Sequence, residues 1–165
     1  MKHAYALGRT LAGVGLLAGA LAGCGTQLDP EGQAIREATE IVKRQAAGAK
    51  WWFASALRDA GAEHSSPKKI LGEMNRALLA GDALKTFDAS YSPGGLVSIK
   101  AGFGTRVEKG GGLWYTHKVA LLCAEFGGKI GSPNTITMAN TPCPPRVNYA
   151  DKLYLWGMPD VIVRL

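Results

Sequence analysis

The sequence predicts an α+β fold in which two amphipathic N-terminal helices pack on a five- or six-stranded antiparallel sheet, stapled by one disulfide. Apolar residues recur every three or four positions as far as Gly81, which is typical of helices. After Gly81 apolar and polar residues alternate, which is typical of strands, and two cysteines lie in this second half. With 165 residues the chain has the size of one domain and not of a multidomain enzyme.

The N-terminus predicts an export signal. Lys2 and Arg9 supply positive charge, and the next residues, 10–22, are apolar or small and carry no charge. A membrane-spanning helix needs about 20 apolar residues, so this run favours a signal peptide. It ends in Leu21-Ala22-Gly23-Cys24, which resembles the lipobox of bacterial lipoproteins.

The resemblance implies a lipid anchor at Cys24. In bacterial lipoproteins the thiol of this cysteine receives a diacylglycerol, the signal is cut before it, and the new amino group is acylated, with palmitate expected here. Two or three acyl chains anchor a protein far better than one, at about 0.8 kcal/mol per buried methylene. Gly25 stands where an Asp tends to retain lipoproteins in the inner membrane, so the resemblance favours the outer membrane, facing the periplasm.

This gives three segments. Residues 1–23 are the predicted signal peptide, residues 24–28 the lipidated cysteine with a short tether, and residues 29–165 a single α+β domain.

The first helix is predicted to begin at Asp29 and Pro30 and to run to about Ala62. Asp29 is a good N-cap and Pro30 suits the first helical position, while Gly48 weakens the middle. Its predicted apolar stripe consists of Ile35, Ala38, Val42, Ala49, Trp52 and Ala56, widened by Ile41, Ala46, Phe53, Leu57 and Ala60.

A second helix is predicted from Ser66-Pro67 to Gly81, and strands follow it. Pro93-Gly94-Gly95 predicts a turn between the first two strands. The predicted strands are residues 87–91, 97–103, 113–126, 134–140, 152–156 and 161–165.

Cys123 and Cys143 predict a disulfide because they form an even pair in an exported chain. The bond would close a loop rich in Gly and Pro. Two free thiols and a redox pair are the alternatives, although the Cys-x-x-Cys spacing of redox motifs is missing.

No catalytic, metal-binding or cofactor motif is found in the sequence. His64 is interpreted as a solvated loop residue, and His117 as a half-buried histidine in a strand, on one face with Tyr115, Val119, Leu121, Cys123 and Glu125. An envelope-modifying enzyme using His117 and Glu125 is the alternative function. Without Lys2 and Arg9, 17 bases face 13 acids, and this surplus of four charges gives no support to nucleic-acid binding.

Trp51-Trp52-Phe53 cannot share one stripe, because three consecutive helical residues span about 200°. Trp52 and Phe53 are placed in the apolar stripe, and Trp51 beside it, near Arg44 and Arg58. Trp51 is then either covered by the second helix or a loop, or it is an anchor for a partner. We therefore expect a non-enzymatic module that binds an envelope protein, as an inhibitor, immunity factor or assembly accessory does.

A basic stripe lies beside this position: Arg36, Lys43 and Lys50 repeat every seven residues. It is interpreted as a solvated face, supported by pairs of Glu40 with Arg36 and Arg44 at four-residue spacing, with electrostatic docking as the alternative.

Overall fold

A computed structural model describes residues 29–62, 65–111, 114–144 and 159–165. Within these ranges two helices precede five strands, which confirms the α+β class. The elements are α1 (Pro30–Ala62), α2 (Pro67–Ala80), β1 (Lys85–Ser92), β2 (Leu96–Gly111), β3 (Trp114–Lys129), β4 (Ser132–Asn140) and β5 (Val161–Val163). The predictions for residues 1–28, His64 and the strand 152–156 lie outside the described residues.

Both helices begin and end where the local signals predict. The Asp29 carboxylate accepts a hydrogen bond from the Gly32 N–H at 2.7 Å, and α1 continues unbroken for 33 residues. Ser66 caps α2 by accepting from the Lys69 N–H at 3.4 Å, and α2 ends at Gly81. Capping side chains satisfy N–H groups that have no partner within the helix, so these boundaries follow from local chemistry.

The strands β1 to β4 form an antiparallel sheet in sequence order. β5 pairs parallel with Ala120 to Leu122 of β3, so the prediction that every strand is antiparallel is wrong for β5. β4 occupies the same edge of β3 from Ala124 to Lys129, and β5 fills the next part of that edge. The 20 residues between β4 and β5 are long enough to return the chain in either direction, so alternation alone cannot give the strand's direction.

One hydrophobic core joins the helices to the sheet. The Phe126 ring on β3 lies 5.8 Å from Phe53 of α1 and 5.9 Å from Phe103 of β2, measured between ring centroids. The buried stripe of α1 consists of Ala34, Ala38, Val42, Ala46, Ala49, Phe53, Leu57 and Ala60, and α2 adds Ile70, Met74 and Leu78.

α1 lies along β3 in the same direction. Near its start, Glu31 pairs with Lys118 at 2.5 Å. Near the end of α1, Leu57 lies against Gly128 of β3. A Cβ at Gly128 would lie 2.5 Å from Cδ1 of Leu57, so the absence of a side chain at this position lets α1 lie this close to β3. The outer side of α1 therefore faces away from the sheet along its whole length.

The predicted disulfide between Cys123 and Cys143 is confirmed, with the two Cα atoms 5.3 Å apart. The Thr141 N–H also donates to the Cys123 carbonyl oxygen at 3.1 Å. The bond thus fastens the segment after β4 to the middle of β3.

Candidate functional site

The most distinctive exposed feature is a pair of tryptophans on α1. Trp51 is 62% exposed and Trp52 is 44% exposed, and their rings meet edge to face with centroids 5.0 Å apart. Arg44 and Arg58 lie seven residues before and after Trp51, about two helical turns away on each side, and both are exposed. We call Arg44, Trp51, Trp52 and Arg58 the tryptophan face.

Trp51 lies on the outermost side of α1. It is about 200° around the helix from Phe53, which is fully buried. The interpretation that α2 or a loop covers Trp51 is wrong, because its indole is mostly open to solvent.

Trp52 corrects a second prediction, because it lies at the border of the apolar stripe and not within it. One residue before Phe53, its direction is turned by about 100° from the core. There it meets the end of α2: a Cβ at Gly81 would lie 3.0 Å from Cδ1 of Trp52 and 2.6 Å from Cα of Ala49. Gly81 therefore lies against Trp52, while 44% of this tryptophan remains exposed.

A groove of about 350 Å³ lies beside Trp52 where α1 meets the end of α2. Arg44 and Asp82 give it one charge of each sign, and the Gln45 side-chain oxygen is buried without a hydrogen-bond partner among the described residues. The groove has room for one side chain of a partner. Its lining residues are Ile41, Arg44, Gln45, Gly48, Trp52, Ala80, Gly81 and Asp82.

Residues 43–58 of α1, which include the tryptophan face, carry four bases and no acid. Glu31 and Glu37 of α1 are paired with Lys118 and Lys109 of the β2–β3 hairpin. In the described part of the chain, no carboxylate forms an ion pair with Arg44 or with the other bases from Lys43 to Arg58 of α1. Those further bases are Lys43, Lys50 and Arg58.

The structure does not bring His117 and Glu125 together. They lie eight residues apart on β3, which corresponds to about 26 Å along a strand. His117 is also exposed and not half-buried as predicted. The register partner of His117 on β2 is Glu108. Both residues lie in the half of the β2–β3 hairpin that extends beyond the end of β1.

Sequence reasoning missed a charged cluster at the start of α1. Asp160 accepts a hydrogen bond from the Val119 N–H at 2.8 Å, and its other oxygen lies 3.4 Å from Nζ of Lys118. The Val119 hydrogen bond, aided by Lys118, lowers the pKa of Asp160, and the hydrogen bond to Glu31 raises the pKa of Lys118. These residues are far apart in sequence, so no local pattern could have identified them.

Within the described residues, no group of three or more His, Cys, Asp or Glu side chains is placed to hold a metal ion. In the same part of the chain, neither helix is sufficiently long and apolar for a membrane span. Comparisons with protein-family models, curated proteins and solved structures found no match. The functional argument therefore depends on the geometry of this site.

Proposed function

We propose that this chain is a lipid-anchored envelope lipoprotein that binds an acidic partner protein through the tryptophan face. In this proposal the mature protein begins at Cys24 and is held in the outer membrane with its domain in the periplasm. It acts by binding, as an inhibitor, immunity factor or assembly accessory does, and not by catalysis.

The observation that carries the proposal is an exposed tryptophan pair flanked by two exposed arginines that form no ion pair with the described residues. Trp and Arg dominate the few residues that supply most of the energy of protein interfaces. Exposing a large indole to water is unfavourable, and burying it against a partner removes that cost. The bases on the outer side of α1 favour a partner surface that carries carboxylates.

The shape of the surface favours a protein over a lipid bilayer. The groove beside Trp52 is concave, whereas a bilayer has no protruding group of fixed position to fill it. A protein side chain of matching size can enter the groove while Trp51 contacts the neighbouring surface.

The proposal requires both helices to cover the same face of the sheet, so that the tryptophan face points away from it. Two observations support this arrangement: Phe53 contacts Phe126 of β3, and α1 and α2 share one core with β2.

The short tether before α1 limits how far the partner can lie from the membrane. Residues 25–28 extend at most about 14 Å, so the start of α1 stays near the membrane. Trp51 follows Pro30 by 21 residues, about 32 Å further along the helix. The partner is therefore expected within a few tens of ångströms of the bilayer.

The test is capture of envelope proteins by the intact lipidated chain, with Trp51→Ala as the variant. We expect the substitution to weaken binding by about 2 kcal/mol, or about thirtyfold, because it removes a central anchor. Thermal unfolding should change little, since Trp51 does not lie in the core.

Tyr115→Ala is the matched control, because Tyr115 is an aromatic residue that is 73% exposed and lies on the sheet. It should leave binding intact, as should His117→Ala. A captured protein is accepted as the partner only if Trp51→Ala no longer captures it and Tyr115→Ala still does. Three outcomes would each contradict the proposal. The first is that Trp51→Ala unfolds the domain, and the second is that Trp51→Ala and Tyr115→Ala capture the same proteins equally well. The third is that Trp51→Ala weakens binding of the chain to protein-free anionic vesicles, because Trp51 would then contact lipid and not a protein.

A further inference from the structure

In the part of the chain that the structure describes, one edge of the β2 strand is only partly paired. β1 accompanies it as far as Gly102, where the Leu84 N–H donates to the Gly102 carbonyl oxygen at 2.8 Å. β2 continues to Gly111, and among the described residues no strand pairs with this edge beyond Gly102. Backbone groups of alternate residues point to the same side of a strand, so those of Arg106 and Glu108 point to this open edge.

The charges on this edge have opposite signs. Arg106 and Glu108 lie two residues apart on one face of β2, and their side chains contact each other at 2.7 Å. Proteins protect open edges against pairing with charges, above all lysines, because like charges repel when two copies approach. Arg106 and Glu108 give no such protection. When a second copy of the strand approaches antiparallel, the Arg of each copy can lie opposite the Glu of the other.

We propose that two copies of this chain pair through residues 105–109 of β2, antiparallel and symmetrical about Val107. Arg106 of each copy then lies opposite Glu108 of the other, and the two sheets become one continuous sheet. The occupant of this edge is a second copy because the edge complements itself.

The charges also select the register. A shift of the copy by two residues in one direction places Arg106 opposite Arg106, and in the other direction Glu108 opposite Glu108. Like charges that face each other across two strands are destabilising. Of these three registers, only the one centred on Val107 places Arg106 of each copy opposite Glu108 of the other. Lys109 lies on the other face of β2, opposite Thr105 of the second copy, and pairs with Glu37 of its own α1.

The position of α1 is compatible with two membrane anchors. Lys118 is the register partner of Val107 and pairs with Glu31 in the first turn of α1. The first turns of both copies of α1 therefore lie close to the twofold axis. Two lipid anchors can then reach the same membrane.

Cysteine cross-linking in membranes tests this register with the full lipidated chain. Directly opposite residues of a hydrogen-bonded pair have Cα atoms about 5.5 Å apart, which suits a disulfide. Cells that express an Arg106→Cys chain together with a differently tagged Glu108→Cys chain should give a disulfide-linked heterodimer. Either variant alone should cross-link little, because its cysteines would be about 9 Å apart.

Charge exchange provides a second arm, measured by copurification of two differently tagged chains. Arg106→Glu or Glu108→Arg alone should weaken association about tenfold, and the double exchange should restore it. Arg76→Glu, an exposed position on α2, is the matched control and should change nothing.

Absence of the mixed cross-link, although both thiols react with a maleimide in membranes, would overturn the inference. Equal cross-linking by either variant alone, or single exchanges that behave like the parent, would do the same. Trp51→Ala should leave the cross-link unchanged, so this test and that of partner binding fail independently.

Discussion

Asp160 joins three parts of the molecule through one carboxylate. One oxygen accepts the N–H of Val119 on β3, and the other lies near Lys118, which also pairs with Glu31 of α1. Val119 lies just before the part of β3 that pairs with β5. Asp160 thus satisfies a backbone donor at the edge of the sheet and places the end of the chain beside the start of α1.

Asp160→Asn should destabilise the domain in a pH-dependent way. Because its hydrogen bonds lower the pKa of Asp160, the carboxylate contributes stability above the ordinary Asp pKa of 3.8, which applies to the unfolded chain. This contribution is lost as the pH falls through the lower folded pKa. In urea unfolding the difference between parent and variant should therefore be greatest near neutral pH and narrow below about pH 4. Asp59→Asn on the exposed side of α1 is the control, and a difference that does not vary with pH would contradict this account.

The ends of the helices and the disulfide could be predicted from sequence, whereas the packing of one element against another could not. Asp29 and Ser66 act within one turn, so their chemistry is visible locally. The exposure of Trp51 follows from the 100° step of the helix. The exposure of Trp52 depends on how closely Gly81 approaches it, and the direction of β5 depends on which part of β3 it pairs with. Neither could be predicted without the three-dimensional structure, because the partners are far apart in sequence.

Two glycines beside the groove should respond in opposite ways to alanine. A Cβ at Gly48 meets nothing within 4 Å, so Gly48→Ala should stabilise the domain by about 0.5–1 kcal/mol by favouring the helix. A Cβ at Gly81 would lie 2.6 Å from Cα of Ala49, and backbone cannot yield cheaply, so Gly81→Ala should cost about 1–3 kcal/mol. Chemical denaturation measures both. Equal changes in the free energy of unfolding would show that Gly81 does not lie as close to Ala49 as the structure indicates.

At the scale of the molecule, α1 and β3 match in length. The 33 residues of α1 extend about 50 Å and the 16 residues of β3 about 53 Å. A helix of this length can therefore extend along the whole of β3, and it does so although Gly48 weakens its intrinsic stability. This arrangement leaves the opposite side of α1, with Trp51, open for a partner over its whole length.

The lipid anchor is the prediction that concerns the whole molecule. If Cys24 carries the lipid, mass spectrometry of the membrane-extracted protein should find an acylated cysteine at the mature N-terminus. Cys24→Ser should release the domain from membranes or block processing, because its thiol is the only site for the diacylglycerol in this proposal. Cys143→Ser is the matched control: it removes the disulfide and should cost about 2–5 kcal/mol of stability, yet the chain should stay acylated and membrane-bound. An unmodified mature N-terminus elsewhere would refute the anchor, and with it the expectation that the partner lies close to the membrane.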